Sequence, residues 1–323
     1  MKHRIVLLDD YQGIALRMAD WSRLRDCEVV ALSSHIDDPD ELARTLADFD
    51  IVMALRERTP LRADLLARLP RLELIVTAGK RNASIDVAAA RARGIVVCGT
   101  SGLTYPTSEL AIGLMLSLAR DIPNQQQSLR EGRWQTRVGF GLNGKTLGVL
   151  GLGTLGSRVA RIARAFEMDV IAWSQHLTAE RASEVGARRV EKDELFAQSD
   201  FISIHLVLSD RTRGLVGARE LALMKSTAYL VNTSRGPIVD EAALVRALRA
   251  RRIAGAGLDV FEHEPKVDLA LRRMPSVVLA PHLGSATIEV REEMANIVVD
   301  NILAFLAGKT PANCVNPEVL AAK

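Results

Sequence analysis

Short apolar runs alternate with longer segments of helical periodicity along almost the whole chain. In the first third, the runs are four to six residues long and rich in valine, isoleucine and leucine, which is typical of strands buried on both faces. They lie at 5–8, 28–32, 50–55, 72–76 and 95–98. Because amphipathic helical segments separate them, the pattern predicts a parallel sheet with helices on both faces.

A second series of the same kind begins near residue 146. It follows a long apolar helix predicted at 108–120 and a polar stretch at 121–144. That stretch is too long for a simple linker, and it suits either an arm used in a subunit contact or an excursion packed on its own chain. The strands of this series are predicted at 146–150, 170–173, 201–205, 229–232, 254–258 and 277–280. A final apolar helix, predicted at 289–306, is expected to return to the first series.

The two series together predict an α/β protein with two doubly wound parallel-sheet domains. The 323 residues are enough for two such cores. We expect one domain at 1–100 and 289–323, with the other, at 101–288, inserted into it. Ligands bind beyond the carboxyl ends of parallel strands, so the polar residues that follow the strands are the candidate site residues.

The composition is that of a globular protein and argues against nucleic-acid and membrane partners. Hydrophobic residues account for 48% and charged residues for 25%, and the net charge of +3 comes from arginines scattered through helical segments. We therefore expect no nucleic-acid partner. No apolar run approaches the roughly 20 residues of a membrane span, so no membrane association and a cytoplasmic location are expected. The slightly basic balance suits an anionic small-molecule substrate.

The cysteines predict neither a disulfide framework nor a metal site. Cys27, Cys98 and Cys314 are odd in number and show no CxxC or Cys/His spacing. We interpret them as reduced, structural thiols of a cytoplasmic protein and expect no bound metal.

Three spaced glycines follow the first strand of the second series. Gly151 suits a sharp turn, Gly153 lets the backbone approach a pyrophosphate, and Gly156 lets the next helix pack closely on the strand. Thr154 and Leu155 begin that helix, whose free N–H groups attract an anion. A structural glycine turn alone gives the same spacing, but the strand before it and the helix after it favour a dinucleotide-binding site.

The end of the next strand bears on which dinucleotide is bound. An acidic residue usually stands there and binds the ribose hydroxyls, whereas this chain has Ser174. A serine hydroxyl donates to a hydroxyl or to a phosphate, and it does not repel a 2′-phosphate. The cofactor is therefore predicted to be NAD or NADP, with a slight preference for NADP and with Gln175, His176 and Arg181 as candidate contacts.

Three later strand ends each offer one residue suited to 2-keto acid chemistry. Arg235 can bind a carboxylate through its guanidinium fork, and His282 can donate a proton to a keto oxygen. Glu264 can stabilise the imidazolium and orient the ring. A lone histidine such as His282 is more often structural or on the surface, but the three residues together beyond strands of one domain predict a catalytic set.

These residues also carry a family resemblance. The glycine turn, the Asn-Thr-Ser-Arg-Gly run at 232–236, Gly-Leu-Asp-Val-Phe at 257–261 and Pro-His-Leu-Gly at 281–284 resemble the D-isomer-specific 2-hydroxyacid dehydrogenases, in order along nearly the whole chain. The resemblance implies a flavodoxin-like substrate domain split across the termini and an inserted Rossmann nucleotide-binding domain. It also implies a homodimer formed through the nucleotide domain and its arm.

The resemblance assigns roles to particular residues. Positions matching Arg235, Glu264 and His282 are catalytic, and Glu264, rather than Glu262, has the family's spacing before a proline. The implied cofactor contacts are Gly151, Gly153, Thr154, Leu155, Gly156, Ser174, Leu206, Thr233, Ser234, Asp259 and Gly284, with Asp259 at the nicotinamide end. The loop from Ala78 to Arg81 is implied to hold the substrate carboxylate through backbone N–H groups. The implied substrate-binding residues are Arg56, Ala78, Gly79 and Lys80.

The predicted function is hydride transfer between NAD(P)(H) and C2 of a small 2-hydroxy or 2-keto acid such as glyoxylate or hydroxypyruvate. A basic loop at 79–82 raises the hypothesis of a substrate with a second anionic group. The alternative is a dinucleotide-sensing, corepressor-like binding protein on the same fold. A formate-type dehydrogenase is disfavoured because its chemistry needs no proton donor, whereas His282 and Glu264 supply one.

Overall fold

The computed structural model describes residues 2–80 and 82–321 of the chain. Contacts between residues divide it into two compact units. The first unit consists of Met1–Leu103 and Thr287–Lys323, and the second of Thr104–Ala286. No helix in the described part of the chain is both long enough and apolar enough to cross a bilayer.

The first unit is built on a five-stranded parallel sheet. The strands are β1 (His3–Leu7), β2 (Cys27–Ala31), β3 (Ile51–Ala54), β4 (Leu74–Thr77) and β5 (Val96–Gly99). The connecting helices are α1 (Pro39–Leu46), α2 (Ala63–Leu66) and α3 (Val87–Ala92). The order β2-β1-β3-β4-β5 is that of flavodoxin-like sheets. Alternate side chains enter separate cores, so that Val6 and Val52 lie on one face and Ile5 and Ile51 on the other.

The second unit is built on a seven-stranded parallel sheet. Its helices are α4 (Tyr105–Ala119), α5 (Ile122–Arg130), α6 (Thr154–Ala165), α7 (Ala179–Ser183), α8 (Lys192–Gln198), α9 (Ala218–Leu223), α10 (Glu241–Arg249) and α11 (Leu269–Arg273). Its strands are β6 (Thr146–Leu150), β7 (Asp169–Trp173), β8 (Arg188–Arg189), β9 (Phe201–Ile204), β10 (Tyr229–Asn232), β11 (Gly255–Leu258) and β12 (Val277–Leu279). Read from β8, the order β8-β7-β6-β9-β10-β11 is the doubly wound order of dinucleotide-binding sheets, and β12 extends it.

The chain then returns to the first unit. Helix α12 (Ile288–Leu306) and the short α13 (Glu318–Ala321) complete it. Val298, Val299 and Ile302 of α12 are fully buried in the core on one face of the first sheet. A helix from the carboxyl-terminal end of the chain is therefore an integral part of the first core.

The predicted α/β class with two doubly wound parallel sheets is confirmed, and most strand ends differ from the prediction by only one or two residues. Strand β8 was not among the predicted strands. Its two arginines are exposed, and so short an exposed strand gives no apolar signal. Helix α5 occupies the first part of the predicted polar stretch, whose many polar side chains conceal its helical character.

In each sheet, the winding direction reverses between two neighbouring strands. The reversal lies between β1 and β3 in the first sheet and between β6 and β9 in the second. Ligands of doubly wound sheets bind outside the carboxyl ends of such strands. The segments that follow these strands are therefore the ones that build a site.

Candidate active site

The glycine turn lies where the second sheet reverses, and its geometry explains each glycine. Gly151 has φ +105°, and a Cβ there would lie 2.7 Å from the carbonyl oxygen of His205, after β9. A Cβ on Gly156 would lie 2.0 Å from the carbonyl oxygen of Gly151. Gly153 is different, because nothing lies within 4 Å of its Cβ position at the start of α6. The turn thus packs tightly on the protein side and is open where a pyrophosphate would approach.

Two buried polar atoms without a protein partner also indicate that a ligand binds at this edge of the sheet. Thr233 Oγ1 and His205 Nδ1 are buried and have no hydrogen-bond partner among the described residues. Both residues follow strand ends, β10 and β9. Burial without a partner is costly for a polar atom, and a bound ligand supplies one. Together with the open turn at Gly153, these atoms fit a dinucleotide.

Ser174 lies beside the glycine turn. Its Oγ accepts the N–H of Leu152 at 2.8 Å, so the serine braces the turn and keeps its own hydroxyl hydrogen for another acceptor. It lines a groove of about 530 Å³, within the roughly 300–1,000 Å³ of small-molecule sites. The other lining residues include Leu152, Gly153, Trp173, Gln175, His176, Arg181, Leu206, Val207, Arg211 and Thr212.

The groove contains a cation that the sequence reasoning missed. Arg181, a predicted contact, forms an ion pair with Glu184. Arg211 also lines the groove and has no ion-pair partner among the described residues. The candidate contacts predicted with Ser174 all lie within seven residues after it, whereas Arg211 follows β9 and lines the groove only because of the fold.

His282 and Glu264 form a hydrogen-bonded pair. His282 Nδ1 lies 2.6 Å from Glu264 Oε2, and the two side chains are only 15% and 23% exposed. Glu264 Oε1 accepts the N–H of Phe261 at 3.0 Å. Burial alone would raise the pKa of Glu264, but the His282 hydrogen bond, the Phe261 N–H and the Arg235 charge lower it below its usual value. The carboxylate is therefore ionised at neutral pH. Since Nδ1 of His282 binds Glu264, Nε2 is the ring nitrogen left for a ligand.

Arg235 is held close to this pair by the turn after β10. Asn232 Nδ2 donates to the Arg235 carbonyl oxygen at 3.0 Å, and Asn232 Oδ1 accepts the N–H of Ser234 at 3.0 Å. The Arg235 guanidinium donates to the Ser234 carbonyl oxygen at 2.8 Å. Asn232 was not predicted as a site residue. Its place at the end of β10, immediately before the turn, is the signal that could have identified it.

Asp259 fixes the loop that carries His282. Its two carboxylate oxygens accept the N–H groups of Leu283 at 2.6 Å and Gly284 at 2.8 Å. His282 has φ +55°, and its N–H donates to the Asp259 carbonyl oxygen at 2.9 Å. Thr107 Oγ1, which was not predicted, donates to the Gly284 carbonyl oxygen at 2.8 Å. Burial raises the pKa of Asp259 to about 6 despite these N–H donors. The structure therefore gives Asp259 a positioning role, and its predicted cofactor contact stays a prediction.

The predicted substrate loop belongs to the first unit and follows β4. The N–H of Ala78 donates to the Ala54 carbonyl oxygen at 3.0 Å, and that of Gly79 donates to Thr100 Oγ1 at 2.9 Å. These two N–H groups hold the loop itself. The N–H of Lys80 has no acceptor among the described residues, while Arg81 lies outside them. Of the predicted carboxylate-binding N–H groups within the described loop, that of Lys80 is available to a ligand.

A second cationic segment follows β3 in the same unit. Arg56 has φ +60°, and its carbonyl oxygen accepts from Asn82 Nδ2. Arg58 stacks on the ring of Tyr11, 4.8 Å from its centroid, and donates to the Asp9 carbonyl oxygen at 3.4 Å. Arg56 and Arg58 thus lie on the segment that follows β3, beside the reversal point of the first sheet.

Comparison with known proteins agrees with these features. Residues 112–284 match the family model of the D-isomer specific 2-hydroxyacid dehydrogenase NAD-binding domain. The chain is 43% identical over 267 residues to a glyoxylate reductase of Thermococcus litoralis, an alignment that covers 80% of this chain and 81% of the relative. It is also 38% identical over 279 residues to a D-3-phosphoglycerate dehydrogenase of Synechocystis, covering 85% of this chain and 50% of the relative.

A solved structure resembles the whole chain. It is the crystal structure of a putative D-3-phosphoglycerate dehydrogenase oxidoreductase from Ralstonia solanacearum. It superimposes with a TM-score of 0.93 at 36% identity and covers 98% of both chains.

Proposed function

Since the chain belongs to the D-isomer specific 2-hydroxyacid dehydrogenase family, we propose that it reduces glyoxylate or hydroxypyruvate, with NADPH as the preferred cofactor. It is a 2-hydroxyacid dehydrogenase with an NAD-binding domain, and it transfers a hydride between a nicotinamide dinucleotide and C2 of a 2-hydroxy or 2-keto acid. The observation that carries the proposed chemistry is the His282–Glu264 pair beside Arg235. A corepressor-like sensor is not favoured, because the relatives carry enzyme names.

Each residue of the proposed catalytic set has one task in the reduction. Arg235 binds the substrate carboxylate and the keto oxygen through its fork of N–H donors. His282 uses Nδ1 to bind Glu264, which leaves Nε2–H to protonate the keto oxygen. The ionised Glu264 stabilises the imidazolium before this transfer. When bound, NAD(P)H supplies the hydride that C2 receives.

Asp259 acts in this proposal by keeping the His282 loop in place. With both carboxylate oxygens accepting N–H groups of the loop, it limits the movement of His282 relative to β11. The proposed cofactor contacts include Gly151, Gly153 and Thr233, supported by the open turn and the unpartnered Thr233 hydroxyl.

We propose that the loop after β4 binds the substrate carboxylate through the N–H of Lys80. A second candidate substrate class carries an additional anion, such as the phosphate of a phosphorylated 2-keto acid. It is supported by the cations Arg56 and Arg58 after β3. It is also supported by two similar proteins that are named D-3-phosphoglycerate dehydrogenase.

The cofactor preference rests on the groove beside Ser174. An acidic residue at this position would repel a 2′-phosphate, whereas the serine hydroxyl donates to it. Arg211 supplies a cation in the same groove. These features support NADPH over NADH.

Introducing the missing acid should reverse this preference. We expect Ser174→Asp to lower kcat/KM for NADPH relative to NADH by about tenfold or more, because like charges placed together cost several kcal/mol. The aspartate can still accept the Leu152 N–H, so the turn is retained. Ser174→Asn is the matched neutral control and should preserve the NADPH preference. An equal change with both cofactors in Ser174→Asp would contradict a role in 2′-phosphate selection.

Initial rates across a substrate panel test the proposed function. NADH and NADPH are each assayed with glyoxylate, hydroxypyruvate, pyruvate, bulkier 2-keto acids and phosphohydroxypyruvate. We expect the highest kcat/KM with glyoxylate or hydroxypyruvate and NADPH. A preference for phosphohydroxypyruvate would select the second candidate. Cofactor binding with no turnover of any substrate would overturn the enzymatic proposal.

We further propose a homodimer in a reducing cytoplasm. Trp134 is 75% exposed and Val138 fully exposed in the stretch after α5, and Ile122 and Leu129 of α5 are also exposed. Exposed apolar side chains in one segment are typical of a contact surface. The cytoplasmic location is supported by the three cysteines, which are free thiols.

A further inference from the structure

Two of the three cysteines face each other across paired segments of the first unit. Cys98 of β5 and Cys314 form an antiparallel bridge. On either side of it, the Gly99 N–H donates to the Asn313 carbonyl oxygen at 2.9 Å and the Val315 N–H to the Val97 carbonyl oxygen at 2.8 Å. This pattern makes Cys98 and Cys314 a non-hydrogen-bonded pair, whose Cα atoms lie about 4.5 Å apart with the side chains on one face. That spacing falls within the roughly 4.4–6.8 Å found for disulfides.

The surroundings of the two thiols differ in a way that suits sequential oxidation. Cys98 is fully buried, whereas Cys314 is only partly buried. Burial and the neighbouring Cys314 raise the pKa of the Cys98 thiol. Cys314 is therefore the thiol that a small oxidant reaches, and Cys98 is placed to react with it afterwards. Cys27 lies on β2, opposite His3 of β1, and is not part of this bridge.

We propose that Cys98 and Cys314 are a reversible redox pair that closes to an intramolecular disulfide when hydrogen peroxide is the oxidant. The Cys314 thiolate attacks one oxygen of hydrogen peroxide, and the O–O bond breaks. The sulfur keeps one OH as a sulfenic acid, and the other leaves as hydroxide, which takes up the proton that the Cys314 thiol had released and becomes water. The Cys98 thiol then attacks the Cys314 sulfur, the S–S bond forms, and the hydroxyl group leaves as water with the Cys98 proton. Two thiols are oxidised by two electrons in all, and a dithiol reductant restores them.

The bridge would fasten the carboxyl-terminal segment to an edge strand. β5 is the last strand of the first sheet, and the segment around Cys314 covers its free edge. Asn316 reinforces this cover, since its Oδ1 accepts the Val97 N–H at 2.8 Å and its Nδ2 donates to the Ile95 carbonyl oxygen at 2.9 Å. A disulfide here would close a loop that includes most of the chain, and long loops constrain the unfolded state most. Oxidation should therefore raise the melting temperature.

Peptide mapping of the oxidised full-length chain tests the proposal independently of its activity. The reduced protein is treated with stoichiometric hydrogen peroxide, free thiols are alkylated, and peptides are identified by mass spectrometry. We expect a Cys98–Cys314 cross-linked peptide, a fall from three titratable thiols to one, a Tm increase of a few degrees, and full reversal by dithiothreitol.

Single variants separate the pair from the remaining cysteine. Cys27→Ser should form the same disulfide, leaving no titratable thiol, whereas Cys314→Ser and Cys98→Ala should form none and show no Tm increase. Cys314→Ser keeps the test decisive if the buried Cys98→Ala variant fails to fold. A disulfide between chains, a disulfide involving Cys27, sulfinic acid at Cys314 as the main product, or three unreacted thiols would each overturn the proposal.

Discussion

Replacing His282 by glutamine should lower kcat for glyoxylate reduction by about 10²–10⁴-fold, the usual contribution of general acid catalysis. Glutamine is similar in size, and its amide N–H can donate to Glu264, but it cannot deliver a proton to the keto oxygen. The backbone N–H of residue 282, which donates to Asp259, is unaffected. Steady-state rates with saturating cofactor measure the loss, and the Kd for NADPH should stay within about twofold.

A neighbouring histidine provides the matched control. His263 is exposed, and His263→Gln should leave kcat unchanged. If His282→Gln retained more than a tenth of the wild-type kcat, or if His263→Gln lost as much, His282 would not be the proton donor.

Glu264→Gln reports on the partner of the same pair. It removes the anion that lies 2.6 Å from His282 Nδ1, so the imidazolium loses stabilisation. Reduction should then be slower, because the protonated ring that donates to the keto oxygen has lost its hydrogen-bonded anion, and kcat at neutral pH measures this loss. In the wild-type protein, the pKa of Glu264 is lowered, so the carboxylate is ionised at every pH above the ordinary glutamate pKa. Its hydrogen bond to His282 is therefore made by the charged carboxylate at neutral pH, and this charge is lost only in acid.

Replacing Arg235 by glutamine should lower kcat/KM for glyoxylate by on the order of 10²–10⁴-fold. Two charge-assisted hydrogen bonds to the substrate would be lost, each contributing about 1.5–3 kcal/mol, and about 1.4 kcal/mol corresponds to a factor of ten. The effect should appear in both KM and kcat, because the guanidinium is proposed to contact the carboxylate and the keto oxygen that becomes charged. Initial rates over a wide range of glyoxylate concentration separate the two parameters.

Arg235→Lys distinguishes the fork from the charge. Lysine restores the positive charge but not the planar pair of donors, so only part of the lost kcat/KM should return. Because Arg235 also contributes to the lowered pKa of Glu264, both variants are checked by thermal unfolding. Wild-type kcat/KM in the lysine variant would show that charge alone suffices, and wild-type kcat/KM in the glutamine variant would remove Arg235 from the reaction.

The apolar runs determined the fold class because parallel strands are buried on both faces. A strand such as β3, with all four residues apolar and buried, gives a continuous apolar signal that can be recognised without knowing its neighbours in the sheet. The spaced glycines were equally informative, because the close contacts at Gly151 and Gly156 exclude any side chain. Strand β8 lacked such a signal, since both of its residues face solvent.

Residue types at strand ends identified the candidate chemistry, but not how the groups are paired. His282 and Glu264 could be proposed from their positions after strands, whereas the hydrogen bond between them depends on how the two loops fold back over β11 and β12. The same holds for Asp259, whose two N–H partners lie after the next strand, and for Arg211, which reaches the Ser174 groove from the segment after β9.

Sequence by itself thus determined the two parallel sheets, the dinucleotide turn and the residue types of the proposed reaction, since these depend on local periodicity, backbone freedom and side-chain chemistry. Only the tertiary structure decided which groups meet. Ser174 supports the glycine turn, Asp259 anchors the His282 loop, and Cys98 faces Cys314 because strand order and crossovers bring together segments that are distant along the chain. Hydrogen bonds and thiol contacts act over a few ångströms, and sequence separation does not encode that distance.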